Sequence, residues 1–346
     1  MKIGSFDFEK GKNTLIIAEL SANHGHNKEI ALETIRAAKR AGADAIKLQT
    51  YTADTLTIDC KNEYFTIQEG LWKGKTLYEL YGEAYTPWEW HENLFNEAKK
   101  EGLICFSTPF DKTSVDFLEQ FNPPAYKIAS FEIQDIPLIE YTASKGRPII
   151  MSTGIAEIED IELAVKTCRG VGNNDITLLK CTSSYPAPIE EANLNTIPDL
   201  KQRFGVEVGL SDHTLGIVAP VVATTLGARV IEKHFILDKS IGGPDASFSL
   251  DEKEFTEMVT AVRQAEKAVG KVSYSLTEKV KASRKFARSL FVAKDMKAGD
   301  IFTEENVRSI RPGYGLHPKY LKDVIGKTAT KELEKGTPLS LRHVNN

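Results

Sequence analysis

Eight short β-branched or aliphatic runs, each separated from the next by a longer stretch of helical period, restrict this chain to folds assembled from βαβ units around a parallel sheet. The predicted strands are Leu15 to Leu20, Ala45 to Gln49, Leu103 to Ser107, Ala125 to Ala129, Pro148 to Ser152, Ile176 to Lys180, Glu207 to Leu210 and Arg229 to Lys233. Between them, Thr86-Pro87-Trp88-Glu89 reads as an N-cap, a proline at N1 and a capping box, followed by Trp90, Leu94 and Ala98 on one face and closed by Gly102. Asn27 similarly caps a helix whose packed face carries Ala31, Thr34, Ala38 and Ala41, with Gly42 as its stop. Polar residues stand at the ends of the apolar runs: Glu19, Lys47 and Gln49, Thr108, Lys127 and Ser130, Ser152, Lys180, Ser211 to His213, and His234. In an open sheet they would be strung along an edge, whereas a closed (β/α)8 TIM barrel gathers them at one mouth. The predicted fold is therefore an α/β barrel over residues 1-270, ending with a helix from Asp251 to Val269. A charged linker over 271-287 leads to a small, turn-rich module over 288-346, marked by Lys297-Ala298-Gly299-Asp300 and Glu334-Lys335-Gly336-Thr337.

A length of 346 residues with 41% hydrophobic content suffices for one large core and a smaller module. The net charge of -4 and pI near 6.1 remove the electrostatic drive for a nucleic-acid partner. No run reaches the roughly 18 to 20 apolar residues of a membrane span, and the start MKIGSFDFEKGKN lacks the apolar centre of a signal peptide. The expectation is a cytoplasmic protein whose four cysteines, without CxxC spacing, remain free thiols. Cys105 and Cys181 read as small buried strand residues.

Several strand-end residues carry two readings on their chemistry alone. His213 and His234, at the ends of neighbouring strands, are either a pair of neutral imidazole ligands for a divalent metal or two unconnected polar rim residues. Lys47 and Lys127 either snorkel to solvent or face an anion. Glu19 is either a barrel-rim ion pair with Lys47 or a carboxylate placed at a reacting centre. Asp212 reads equally as a support for His213 or as a helix cap.

The segments AELSANHGHN, IKLQT, STPFD, YKIASFEI, MSTG, LKCTSSYP, GLSDHT, EKHF and GGPDASFS, in that order, resemble the sialic acid synthase family over nearly the whole chain. The resemblance implies condensation of phosphoenolpyruvate with an N-acetylated amino sugar and a C-terminal antifreeze-like (SAF) domain. It implies a divalent metal on His213 and His234, typically Mn2+, with Mg2+ or Co2+ as alternatives. It assigns phosphoenolpyruvate to Lys47, Thr108, Lys127, Ser130, Ser152, Ser183 and Ser211, although asparagine often replaces Ser183 in sialic-acid-type members. Glu19 is implied to position or deprotonate the attacking water, and the metal and two lysines should draw its pKa downward. Glu132, Tyr185 and Asp245 match residues that contact the sugar, and Gln49 and Phe248 help shape that pocket. Arg311, in RPGYG, implies a homodimer in which the small domain of one subunit completes its partner's site. Within the family, Leu71 to His91 together with CTSSYP most resembles the pseudaminic acid branch, which takes a 2,4-diacetamido-2,4,6-trideoxy sugar of altrose configuration; legionaminic and N-acetylneuraminic acid synthases are the alternatives.

Two other classes compete. A Schiff-base pyruvate aldolase would use Lys127 or Lys47 as nucleophile, and borohydride trapping of a lysine adduct would reveal it. A non-catalytic carbohydrate-binding protein would release no phosphate from phosphoenolpyruvate.

Overall fold

The computed structural model describes residues 1–346 except Lys12, Leu71 and Asn346, so the first residue of the Leu71 to His91 stretch lies outside the described residues. The chain divides into two compact units, Met1–Gly270 and Lys271–Asn346.

The first unit begins with a hairpin, β1 (Lys2–Ile3) and β2 (Phe6–Asp7), and continues into a closed parallel barrel. Its staves are β3 (Leu15–Glu19), β4 (Ala45–Thr50), β5 (Ile104–Pro109), β6 (Tyr126–Ile128), β7 (Ile149–Ser152), β8 (Ile176–Cys181), β9 (Glu207–Asp212) and β10 (Val230–His234). Closure is made by β10 pairing with β3, which sets His234 opposite Glu19 in register. All eight predicted strands are present, with ends shifted by a residue or two. The hairpin was not anticipated; its Ile3 and Phe8 join Leu15, Ile17, Phe106, Ile150 and Leu179 in one buried cluster. Strand residues of the other parity, such as Ile16, Ile46 and Leu48, pack in a second cluster with Ala31, Ile35, Leu94 and Met258 from the surrounding helices. Burying each large aliphatic side chain contributes about 1.5–3 kcal/mol, so both faces of the sheet are stabilised by the same alternation.

Local capping follows the sequence in most places. Asn27 accepts hydrogen bonds from the Glu29 and Ile30 amides at the start of the helix Lys28–Arg40, and Gly42 beyond it takes φ +89. Asp251 and Glu254 form a capping box on the helix Glu252–Val269. The predicted cap at Thr86 does not form. Residues Trp88–Trp90 make a 3-10 turn with no side-chain cap, ahead of the helix His91–Lys100. Thr86 Oγ1 instead lies 3.2 Å from Nε2 of buried His24, a tertiary partner that outcompetes the local one.

In the second unit, the stretch expected as a plain linker carries a short helix, Glu278–Ser283, with Thr277 as its cap. An antiparallel pair, β11 (Ser289–Val292) and β12 (Val307–Ile310), follows. A small core of Leu290, Val292, Met296, Phe302, Leu333 and Leu339 supports it. Both glycine turns are present, Gly299 and Gly336 each at φ +89. Among the described residues, no helix is long and apolar enough to cross a membrane.

Candidate active site

Alternate residues on a strand share a face, so the parity that buries Ile17, Ala45, Phe106, Ala125, Ile150, Leu179 and Val230 in the apolar interior continues upward to chemistry-bearing residues. It leads to Glu19, Lys47 and Gln49, Thr108, Lys127, Ser152, Cys181, Ser211 and His213, and Glu232 and His234.

The floor of the mouth is an interlocked set of charges. Lys47 and Lys127 are only 4% and 2% exposed, so neither snorkels. Lys47 Nζ lies 2.8 Å from Glu19 and 3.5 Å from Glu232, and donates to Thr108 Oγ1 at 3.2 Å. Lys127 Nζ is 3.6 Å from the same Glu232 oxygen, which also accepts from Ser211 Oγ at 3.0 Å. Burial opposes protonation of Lys47, but Glu19 and Glu232 outweigh it and raise its pKa. Burial lowers that of Lys127, with Glu232 opposing. Burial raises the Glu19 pKa to about 7; Lys47 counteracts only in part and Glu232 adds repulsion, so the two lysines by themselves do not produce the expected depression.

Hydroxyls ring this floor. Ser152 Oγ is buried with no hydrogen-bond partner among the described residues. Ser130 Oγ accepts the Gly154 amide at 3.1 Å, and Ser183 Oγ lies 3.8 Å from Cys181 Sγ. A buried hydroxyl without a protein partner keeps its proton available for a ligand.

Above the floor, His213 and His234 do meet, with ring centroids 5.3 Å apart. His213 Nδ1 faces the Thr182 carbonyl at 3.1 Å, which commits that nitrogen and leaves Nε2 available. His234 Nδ1 is buried without a hydrogen-bond partner among the described residues, 3.6 Å from Asp245 Oδ2. Burial and the neighbouring His213 hold the His234 pKa well below its ordinary value, so the ring is neutral. Tyr185 lies 4.5 Å from the His213 ring, and Phe248, 1% exposed, lies 5.0 Å from His234. Gln49 donates to Glu19 and to Ser21, each at 3.0 Å, and Ser21 donates to Asp245, so Asp245 is held rather than simply solvated. The unpartnered Nδ1 of neutral His234, with Asp245 nearby and the His213 ring beside it, fits a divalent cation, although burial fails to offset Cys181 and the Thr182 carbonyl, which raise the His213 pKa, and the described residues hold no cluster of three or more His, Cys, Asp or Glu that could enclose one unaided.

Glu232, Ser21 and Lys233 were not singled out from the sequence. Counting back two residues from His234 identifies Glu232 as inward-facing. Ser21 sits at φ 48, just beyond β3, in a conformation rare for a residue with a side chain. Lys233, of the opposite parity, is fully buried and bonds Asp212 Oδ2 at 2.5 Å and the Thr214 carbonyl, tying together the two strand ends that carry the histidines. Asp212 thus serves the Lys233 pair and accepts the Thr214 amide at 2.9 Å.

Glu132 supplies a test of the burial argument. Desolvation raises its pKa from 4.5 to about 7, with Lys127 opposing, and its Oε2 has no partner among the described residues. Because the folded state binds this proton more tightly than the unfolded state, the ionised carboxyl costs stability. That cost begins as pH rises past the unfolded value and is complete above the folded one, reaching at most about 3 kcal/mol. Glu132→Gln is therefore expected to raise Tm relative to the parent progressively from pH 5 to pH 8. A Tm difference that does not change over that range would refute the burial assignment.

Arg311 lies exposed in the second unit, directly after β12. The remaining expected site residues, from Glu19 to Phe248, all belong to the first unit.

Comparison with known proteins places these features in a family. Residues 34–274 match the NeuB family and residues 287–345 match the SAF domain. The chain is 53% identical to the pseudaminic acid synthase of Campylobacter jejuni subsp. jejuni over 98% of both chains. It is 50% identical to the pseudaminic acid synthase of Helicobacter pylori over 94% of this chain and 96% of that one. Among solved structures, the spore coat polysaccharide biosynthesis protein spsE of Bacillus subtilis superposes with a TM-score of 0.65 at 34% identity, covering 96% of each chain. With its closed parallel barrel and C-terminal SAF domain, this chain belongs to the NeuB family of sialic-type acid synthases.

Proposed function

We propose that the chain condenses phosphoenolpyruvate with 2,4-diacetamido-2,4,6-trideoxy-altrose and water to give pseudaminic acid and phosphate. The observation that carries this reading is the juxtaposition, in one barrel mouth, of two buried lysines with the facing pair His213 and His234. Identity of 53% and 50% to two pseudaminic acid synthases supports the choice of sugar. A recess of about 490 Å³ lined by Trp72, Lys75, Glu83, Lys239 and Ala246 adjoins this side of the barrel, with the Trp72 ring 6.0 Å from Tyr185. An amphipathic recess of that kind suits a second acetamido group.

Lys47 and Lys127 neutralise the phosphoenolpyruvate anion, and Thr108, Ser130, Ser152, Ser183 and Ser211 orient it by donating hydrogen bonds. His213 and His234 would hold a divalent cation, which when bound would supply Lewis-acid polarisation of the sugar aldehyde. The enol carbon attacks the aldehyde, whose oxygen gains a proton to become a sugar hydroxyl; water adds to the resulting cationic carbon, and the tetrahedral adduct loses its remaining hydroxyl proton as it expels phosphate and becomes the keto group. Glu19, whose raised pKa suits exchange of a proton near neutrality, takes the proton of the attacking water. Gln49 holds Glu19 in place, while Glu132, Tyr185, Asp245 and Phe248 line the sugar's side. The homodimer, with Arg311 serving the partner's sugar, is part of the same proposal.

Phosphate release from phosphoenolpyruvate is the test, measured with the sugar precursors of pseudaminic, legionaminic and N-acetylneuraminic acids, with and without chelator. Turnover is expected with the first sugar and loss on chelation. Faster turnover with either other sugar overturns the branch, and no release with any of them overturns the reaction.

A further inference from the structure

The segment after β7 contains a glycine that the proposed chemistry does not use. Gly154 has no positive φ, so its backbone does not demand glycine. Space does. A Cβ there would stand 2.1 Å from Ser183 Oγ, 2.8 Å from Ser130 Oγ and 3.0 Å from Cys181 Sγ. Its amide donates to Ser130 Oγ at 3.1 Å, which fixes that oxygen in place while the hydroxyl keeps its own proton to donate. The orphan Ser152 Oγ, only two residues earlier, belongs to the same ring of hydroxyls.

We infer that Gly154 is the positioning residue of an oxyanion cradle: its missing side chain leaves the room in which Ser130 and Ser183 aim their hydroxyls at an anionic group of phosphoenolpyruvate. The inference rests on the proposed function and deepens it. The atoms that a Cβ would meet are tips of short side chains, which escape by rotating about χ1. Alanine is therefore absorbed by turning both hydroxyls away, at the expense of the ligand and not of the fold.

The experiment compares the parent, Gly154→Ala, Ser183→Ala and the double variant. It reads the KM for phosphoenolpyruvate, its binding in the absence of sugar, and thermal unfolding. Gly154→Ala is expected to weaken phosphoenolpyruvate binding roughly 10- to 100-fold, the range for one or two charge-assisted hydrogen bonds, with Tm close to that of the parent. The double variant should be little worse than the weaker single variant, because both substitutions remove the same contact. Unchanged phosphoenolpyruvate binding in Gly154→Ala overturns the cradle. So does a loss accompanied by a large fall in Tm, or one that multiplies fully with that of Ser183→Ala. A parent protein that binds no phosphoenolpyruvate overturns the proposed function itself, which the three other results leave standing.

Discussion

Alanine at His213 or at His234 is expected to lower phosphate release on the order of 10³-fold, the scale of a lost electrophile worth several kcal/mol. His213 is oriented by the Thr182 carbonyl, and the His234 ring packs against Phe248 with centroids 5.0 Å apart. His234 is neutral, so its loss breaks no buried ion pair, and both variants are expected to remain folded; direct titration with Mn2+ should show weakened binding in each. Excess metal should restore part of the activity of the single variants and none in the double variant. Turnover within about 10-fold of the parent in both single variants would remove the histidines from the reaction.

The second large effect is expected at Lys127. Methionine there keeps much of the volume but strips Glu232 of one of its two lysines, at 3.6 Å, in a site that is 2% exposed. Breaking a buried pair from one side costs about 3–5 kcal/mol, so a clear fall in Tm should accompany a loss of kcat/KM for phosphoenolpyruvate of roughly 10²- to 10³-fold. Lys127→Met combined with Glu232→Gln separates these two effects. Removing both charges relieves the unpaired carboxylate, so stability should recover, while the anion still lacks its cation and catalysis should not. Recovery of phosphoenolpyruvate affinity together with Tm would mean that Lys127 acts only as a structural partner of Glu232.

That His213, Lys47 and Lys127 gather at one mouth was legible because each is a polar residue set in the later part of a short apolar run or just after it, and a closed parallel sheet leaves such ends only one place to converge. The inward direction of Glu232 was also within reach, two residues before His234, but the run of charges in Glu232-Lys233-His234 masks the alternation. Nothing local distinguishes Lys233, which is buried on the other face against Asp212, from a rim lysine. The Thr86 cap failed for a related reason: the short-range pattern was sound, but His24, 62 positions away, took the hydroxyl.

The strand count, the alternation that separates the barrel interior from its helical shell, and the residues at the strand ends were determined by the sequence alone, because periodicity and capping are properties of neighbouring residues. The hairpin seated in the apolar interior, the sharing of Glu232 between two lysines, the upward shift of the Glu19 pKa and the 5.3 Å approach of the two histidine rings were decided only by the tertiary structure. Each depends on which strands become neighbours when the barrel closes and on how completely water is then excluded. Burial and distance across a closed sheet are set by contacts between residues far apart in the chain, and they decide the charge that each group carries.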